Sequence, residues 1–353
     1  MAETNLKKAN AKSRIGVIRL SAMGDVAMTL PVLKCLLDSQ PDVAITLVTR
    51  PFFKPLFSSL ERVRIFEVDL DRRHKGLPGL LRLFTDLKKE KLTAWADLHQ
   101  VMRSWVISGL FILSGTKTRL IDKGRREKKK LTRCRNKVFK PLKTTHERYA
   151  DVFRKLGYHL TLSNAPLNKP DIQQLLQKGW LQKRQVQRIG VAPFAKLASK
   201  TYPTDLMKEV LSALSKKPDT EIYLMGAPFE RDALNALFEG QKNIFNMAGQ
   251  MAFADEIALI AHMDVLLSMD SGNGHIAAAF GVPVVTLWGA THPFAGFGPY
   301  LQSPSNSLVP DRNQYPCLPT SVFGKTLPKN YEDCMRSIHP NKVVDKVMEV
   351  LQQ

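Results

Sequence analysis

Cysteine is scarce and scattered: four residues in 353, Cys35, Cys134, Cys317 and Cys334, with no C-x-x-C pair and no histidine spaced to complete a zinc site. That excludes a zinc module, and the four read as reduced thiols in a cytoplasmic protein. Residues 1–14 are polar and basic and lack the apolar centre of a signal peptide. The longest apolar run, residues 105–113, is far short of the ~20 residues that cross a bilayer, so no membrane span is expected. A Gly-x-Gly-x-x-Gly fingerprint is missing, which disfavours a nicotinamide cofactor. Acidic residues are few beside the basic ones, 32 against 52, leaving a formal net charge of +20 and a pI near 9.8. Such a chain suits polyanionic partners: nucleic acid, an acidic membrane surface or phosphorylated substrates.

What is present is ordinary for a folded protein, 44% hydrophobic and 24% charged. At a prior of ~150 residues per domain the length predicts two domains. The expected boundaries are 1–165, a linker over 166–187 that is rich in Asn, Pro and Gln and holds a short polar helix over 171–182, a second domain over 188–335, and a terminal helix within 336–353.

The chain is organised around residues 268–293, SMDSGNGHIAAAFGVPVVTLWGATHP. They read as the end of a buried strand, a small-residue turn, a short Ala-rich helix and a second strand. In open α/β sheets ligands bind at such strand ends, where helix amino termini converge. Gly272 and Gly274 let backbone N–H groups face a ligand, the helix dipole favours an anion, and His275 could add a donor to a phosphate oxygen. The alternative is that Asp270 and Ser271 are capping residues and His275 a surface histidine.

Strands are predicted at 15–20, 44–49, 63–68 and 93–98 in the first half and at 188–192, 221–225, 244–248, 265–269 and 284–287 in the second, with helix-length segments between them. That alternation is the signature of parallel α/β sheets, here two doubly wound sheets. After the first strand comes SAMGDVAMTLPVLKCLL, where Gly24 allows a turn, Asp25 stands at a helix start and Pro31 kinks or interrupts the helix. Asp69-Leu70-Asp71 forms a D-x-D triplet, which holds a metal in one class of glycosyltransferases or, more simply, ends a strand. Residues 117–148 are the most basic stretch and read as a long surface loop that turns helical near Thr144. It is a solvated face or else a patch for an acidic headgroup or phosphorylated acceptor, with Lys123, Arg125, Arg126, Lys128, Lys129 and Lys130 as the candidate contacts. Nucleic acid is not expected there, since the run lacks interleaved aromatics. Trp105, Phe111 and the neighbouring leucines could form an interfacial helix or a core segment.

Two separate stretches, RLSAMGDVAMTLPVL (19–33) and MDSGNGHIAAAFGVPVVTLWGATHP (269–293), resemble the signature stretches of the glycosyltransferase family 9 heptosyltransferases of lipopolysaccharide synthesis. The resemblance covers nearly the whole chain. It implies a GT-B fold with an acceptor-binding first domain and a nucleotide-sugar-binding second one. It also implies inverting transfer of a heptose from ADP-heptose to a lipid-linked core acceptor at the cytoplasmic face of the inner membrane, with no metal and no cofactor. Asp25 falls on the family's catalytic aspartate; as a carboxylate it can take the acceptor hydroxyl's proton. Lys200, in APFAKLASKTYP, matches the lysine that neutralises the leaving diphosphate. Asp270, Ser271, Gly272, Gly274 and His275 match the donor loop, while Glu230 and Met251 lie where the family contacts ribose and adenine. Where relatives carry adjacent small or hydroxyl residues this chain has Pro193-Phe194-Ala195, so Ser199 or Thr201 would supply the hydroxyl contacts. The terminal helix over 341–351 resembles a segment that in GT-B enzymes often packs back on the first domain.

Overall fold

A computed structural model of the chain describes residues 12–181 and 185–352. Gln182 to Arg184, which include the expected end of the linker helix, lie outside the described residues, as do residues 1–11 and 353. The chain divides into two compact units. The first runs to Lys123 and resumes over Thr145–Leu167; the second takes Gly124–Thr144 and everything from Asn168.

In chain order the elements are β1 (Ser13–Ile18), α1 (Met23–Ala27), α2 (Thr29–Ser39), β2 (Val43–Thr49), β3 (Val63–Glu67), α3 (Gly76–Lys88), β4 (Ala94–Asp97), α4 (Met102–Leu113), β5 (Lys117–Leu120), α5 (Arg125–Thr132) and α6 (Thr145–Leu156). All but α5 belong to the first unit. Then follow α7 (Gln173–Gln177), β6 (Gln187–Ala192), α8 (Thr204–Ser215), β7 (Thr220–Leu224), α9 (Arg231–Asn235), β8 (Ile244–Asn246), α10 (Phe253–Ala261), β9 (Val265–Met269), α11 (Gly272–Ala279), β10 (Val284–Leu287), β11 (Ser307–Leu308) and α12 (Pro340–Leu351), all in the second unit.

The first sheet has the order β3-β2-β1-β4-β5 and the second β11-β10-β9-β6-β7-β8, every pair parallel. Two α/β units with such sheets are what the alternating pattern predicts. The central strands read as continuous apolar runs because both faces are covered; β2 is buried at all seven positions. In the first unit one face is sealed by α3 and α4, where Leu80, Leu83, Leu87, Ile107 and Phe111 close over Ile18, Val48 and Trp95. Burying a large apolar side chain of this kind contributes about 1.5–3 kcal/mol each.

Some expectations change. Of the two readings at Pro31, interruption of the helix holds and the kink does not. The chain breaks at Met28, α2 begins at Thr29, and Pro31 falls in its first turn, where the missing N–H would have no intrahelical partner anyway. The basic stretch is no long loop: it contributes edge strand β5 and helix α5. Its segment Gly124–Thr144 is packed into the second unit through Leu131, Leu142, Phe139, Phe294 and Phe297. Cys134 and Cys317, expected as reduced thiols, are joined as a disulfide with Cα atoms 4.7 Å apart. They are 183 residues apart in sequence, and only this excursion brings them together, so spacing alone could not reveal the pair. Cys35 and Cys334 are buried thiols. Helix α12 is part of the second unit's own core, with Val343, Val344, Val347 and Val350 buried against that sheet.

Candidate functional site

Beyond the carboxyl end of β1 the chain turns through Ser21-Ala22 into α1, whose third residue is Asp25. Arg19 is 6% exposed and its Nη2 sits 2.7 Å from Asp25 Oδ2. The Arg19 Nη1 donates to the carbonyl of Leu98 at 2.7 Å, so the guanidinium is fixed at both ends of its fork. The Tyr149 hydroxyl donates to the Asp25 carbonyl at 3.2 Å from α6, and burial raises its pKa. The carboxylate itself is a quarter exposed, open enough to meet a hydroxyl.

The parallel register pairs Ile18 with Asp97, so the loops after β1 and β4 emerge side by side. Buried Asp97 shapes the second loop: it accepts from the backbone N–H of His99 at 2.8 Å and of Gln100 at 2.7 Å, and from Ser108 Oγ at 3.1 Å. His99 lies 3.5 Å from Ser21 Oγ through Nε2, and its buried Nδ1 has no hydrogen-bond partner. Burial, then the charges of Arg19 and Lys123, push its pKa down to about 3, so it is neutral at physiological pH. Lys123 Nζ donates to the Gln100 carbonyl at 3.2 Å.

The second unit builds its site at the carboxyl ends of β6, β9 and β10. Lys200 Nζ is 2.7 Å from Asp270 Oδ2, and Thr291 Oγ1 donates to the same oxygen at 2.8 Å. Asp270 therefore braces the lysine. The Ser199–Lys200 turn is pinned to the strand end, since Ala290 N donates to the Ser199 carbonyl at 2.9 Å and Ser199 Oγ donates to the Gly324 carbonyl. Gly289 permits this approach, because a Cβ there would stand 2.2 Å from the Ser199 carbonyl oxygen. Ser271 is the N-cap of α11, yet its side chain makes no capping bond and its buried Oγ has no partner. The helix amino terminus thus keeps its first N–H groups available for an anion. Gly274 has a packing reason: a Cβ would stand 2.7 Å from the buried Ser268 Oγ. His275 is 7% exposed, so it is not the surface histidine of the alternative reading.

At the end of β7, Glu230 Oε2 accepts from Ala227 N at 2.7 Å and closes the turn. Glu256 in α10 is pushed up to about 7 by burial and then by the charge of Glu230. Met251 precedes α10 and is half-buried. Thr201 Oγ1 donates to the Leu197 carbonyl at 3.3 Å. Neighbouring Phe229 is 86% exposed, a flat apolar surface next to Glu230.

The predicted basic patch is split. Lys123 belongs to the first unit, whereas Arg125, Arg126, Lys128, Lys129 and Lys130 are on α5 in the second. Four of these five are exposed, but Lys128 is buried with Nζ 4.0 Å from the centre of the Phe297 ring. The D-x-D triplet acts as a turn: Asp69 accepts from the backbone N–H of Arg72, Asp71 and Arg73, and its pKa is lowered first of all by the bond from Arg72, with desolvation opposing.

Arg19, His99, Tyr149 and Glu256 were not among the residues predicted for the site. A signal existed for two of them. Arg19 is a charge inside an apolar strand run, and His99 follows another such run at its carboxyl end. Tyr149 and Glu256 lie on amphipathic helices, where nothing sets them apart.

A family model described as glycosyltransferase family 9 (heptosyltransferase) matches residues 80–326. Lipopolysaccharide heptosyltransferase 3 of Escherichia coli is 21% identical over 276 residues, 76% of this chain and 81% of that protein. Among solved structures, the glycosyl transferase family 9 from Veillonella parvula superposes with a TM-score of 0.76 at 19% identity, covering 96% of this chain and 97% of that one. The ADP-heptose lps heptosyltransferase II of E. coli superposes with a TM-score of 0.68 at 20% identity, covering 96% and 99%. At such identities the structural likeness concerns the fold, which is GT-B.

Proposed function

This chain belongs to glycosyltransferase family 9, the heptosyltransferases, and from that premise we propose that it moves a heptose from ADP-heptose to a lipopolysaccharide core acceptor with inversion and without a metal. The acceptor hydroxyl attacks the anomeric carbon opposite the diphosphate. Its proton passes to Asp25 as the new C–O bond forms, and the bond to the diphosphate breaks with its electrons leaving on ADP. Lys200 and the α11 amides stabilise that developing negative charge. Arg19 and Tyr149 aim the base, and neutral His99 leaves Arg19 without a second cation against it. Ser199, Thr201, Ser271, Gly272, Gly274 and His275 belong to the diphosphate side, Asp270 orders the lysine, and Glu230 and Met251 take the nucleoside. Lys123 and the exposed cations of α5 serve the acceptor's anionic groups. The setting is the cytoplasmic face of the inner membrane, with no nucleic acid partner.

The observation that carries the reading is the pairing in kind of the two strand-end groups: an accessible carboxylate in one unit, and in the other an ordered ammonium with an uncapped helix amino terminus. Asp25→Ala should lower transfer about 10²–10⁴-fold while nucleotide affinity, measured by calorimetry, stays within a few fold. Retained turnover would remove the base assignment. Thermal-shift screening of a nucleotide-sugar panel tests the donor, since the true one stabilises the fold by mass action. A larger shift with a non-adenine donor would replace ADP-heptose with that sugar, and release of free sugar without a new glycoside would end the transferase reading.

A further inference from the structure

Eleven large apolar side chains are exposed among the described residues, and six of them stand on two helices of the first unit: Leu77 and Leu81 on α3, and Met102, Trp105, Ile112 and Leu113 on α4. On α4 they form one stripe. Ser104, Ile107, Ser108 and Phe111 face the sheet, while Met102, Trp105, Ile112 and Leu113 recur at helical spacing on the opposite side. On α3, Leu77 and Leu81 flank Phe84, whose ring packs edge-on against Phe111 of α4 with centroids 5.1 Å apart. The two stripes are therefore neighbours. A polar surface would have served a free monomer, and clustering of this kind marks an interaction face.

The charge around the stripes selects the partner. Lys75, Arg82, Lys88, Lys89 and Arg103 are exposed on these helices or at their ends, and the chain as a whole carries +20. Apolar side chains flanked by lysine and arginine are the composition of helices that lie in the headgroup layer of an anionic bilayer. A second copy would bring the same cations against themselves. No helix among the described residues is long and apolar enough to cross a membrane, so the contact would be peripheral.

We propose that the outer face of α3 and α4 docks the first unit on an anionic lipid surface. The idea leans on the transferase reading only for its purpose. The loop that carries His99 and Gln100 leads directly into α4, so docking there would keep a lipid-linked acceptor next to Asp25.

The test is flotation of the full chain with vesicles of phosphatidylcholine alone or mixed with phosphatidylglycerol. The wild type should partition at least tenfold more strongly onto the mixed vesicles, and Trp105→Ser with Leu113→Ser should lose about that factor. Both side chains are exposed, so the fold should persist, as circular dichroism and an unchanged nucleotide affinity would verify. Partition unaffected by the serine pair, or lost instead with Lys129→Glu and Lys130→Glu on α5, would overturn the proposal. So would light scattering that shows a dimer dissolved by the serine pair. The measurement contains no sugar, so absence of transferase activity would leave its outcome legible.

Discussion

The two units solve one problem with opposite signs. Each is a parallel sheet with its working group just past a central strand, and each group is held by a counter-charge. In the first unit a buried cation, Arg19, holds an anion, Asp25, that remains a quarter exposed. In the second an anion, Asp270, holds a cation, Lys200, at 2.7 Å, and the lysine side chain is 16% exposed. The difference lies in what each brace still has free. Both arms of the Arg19 fork are taken up by Leu98 and Asp25 and its remaining Nε is buried, so it can only aim the carboxylate. Asp270 shares its oxygen with Thr291, so under the proposed function an incoming diphosphate would draw the ammonium off it without leaving the carboxylate bare. The first site is rigid by construction; the second is poised to exchange one partner for another.

Breaking the second brace should have the larger effect. On the proposed reading, Lys200→Ala removes the charge that would meet the leaving group and leaves Asp270 to face the diphosphate. Turnover should fall about 10²–10³-fold, as for loss of one preorganised donor, with weakened donor binding. Donor affinity and turnover both unchanged in steady-state kinetics and calorimetry would remove Lys200 from the phosphate site.

Breaking the first brace should cost less. Arg19→Ala leaves Asp25 in place but unaimed, so transfer should fall about 10–10²-fold with donor affinity intact. Arg19→Lys should recover only part, because one ammonium cannot span Leu98 and Asp25 as a fork does. If the alanine variant lost donor affinity and turnover equally, Arg19 would be a general structural residue.

That asymmetry was only half legible in the sequence. Nine predicted strands appear close to their expected places, since buried parallel strands leave unmistakable apolar runs. Edge strands β5 and β11 did not show: the first, Lys117–Leu120, has one apolar residue inside a basic run, and the second has two residues. Asp25, Lys200 and the 270–275 loop were visible because they lie in contiguous motifs. The role of Arg19 was not, for it meets Leu98 across 79 residues, nor was the disulfide, for Cys134 finds Cys317 across 183. The fate of Gly124–Thr144 was equally hidden. Its basic residues dominate the composition, but the fold is decided by its few apolar ones, Leu131, Phe139 and Leu142.

The smallest prediction sharpens the comparison by pH. Three histidines have depressed pKa values in the folded protein, each mainly through burial: His99 in the first unit, down to about 3, and in the second His292, down to about 4, and His262. The unfolded chain takes up their protons near pH 6.5 and the folded chain does not, so stability present above that pH is lost as pH falls toward those values. From pH 7 to pH 5 His99 and His292 each cost about 2 kcal/mol. Glu256 acts in reverse: raised to about 7, it holds a proton in the folded state that the unfolded chain has released above pH 4.5, which penalises folding at neutral pH and eases on acidification. Over the same interval it returns about 2 kcal/mol, offsetting His292. His262, also lowered by burial, leaves the second unit with some residual acid loss. Acidification to pH 5 should therefore lower amide protection factors, which are corrected for the intrinsic exchange rate at each pH, more in the first unit than in the second. Glu256→Gln should reverse the contrast, making the second unit lose about 2 kcal/mol more between pH 7 and 5 than it does in the wild type. Equal acid sensitivity of variant and wild type, read from denaturant midpoints at the two pH values, would show that the Glu256 carboxyl is already ionised in the folded protein.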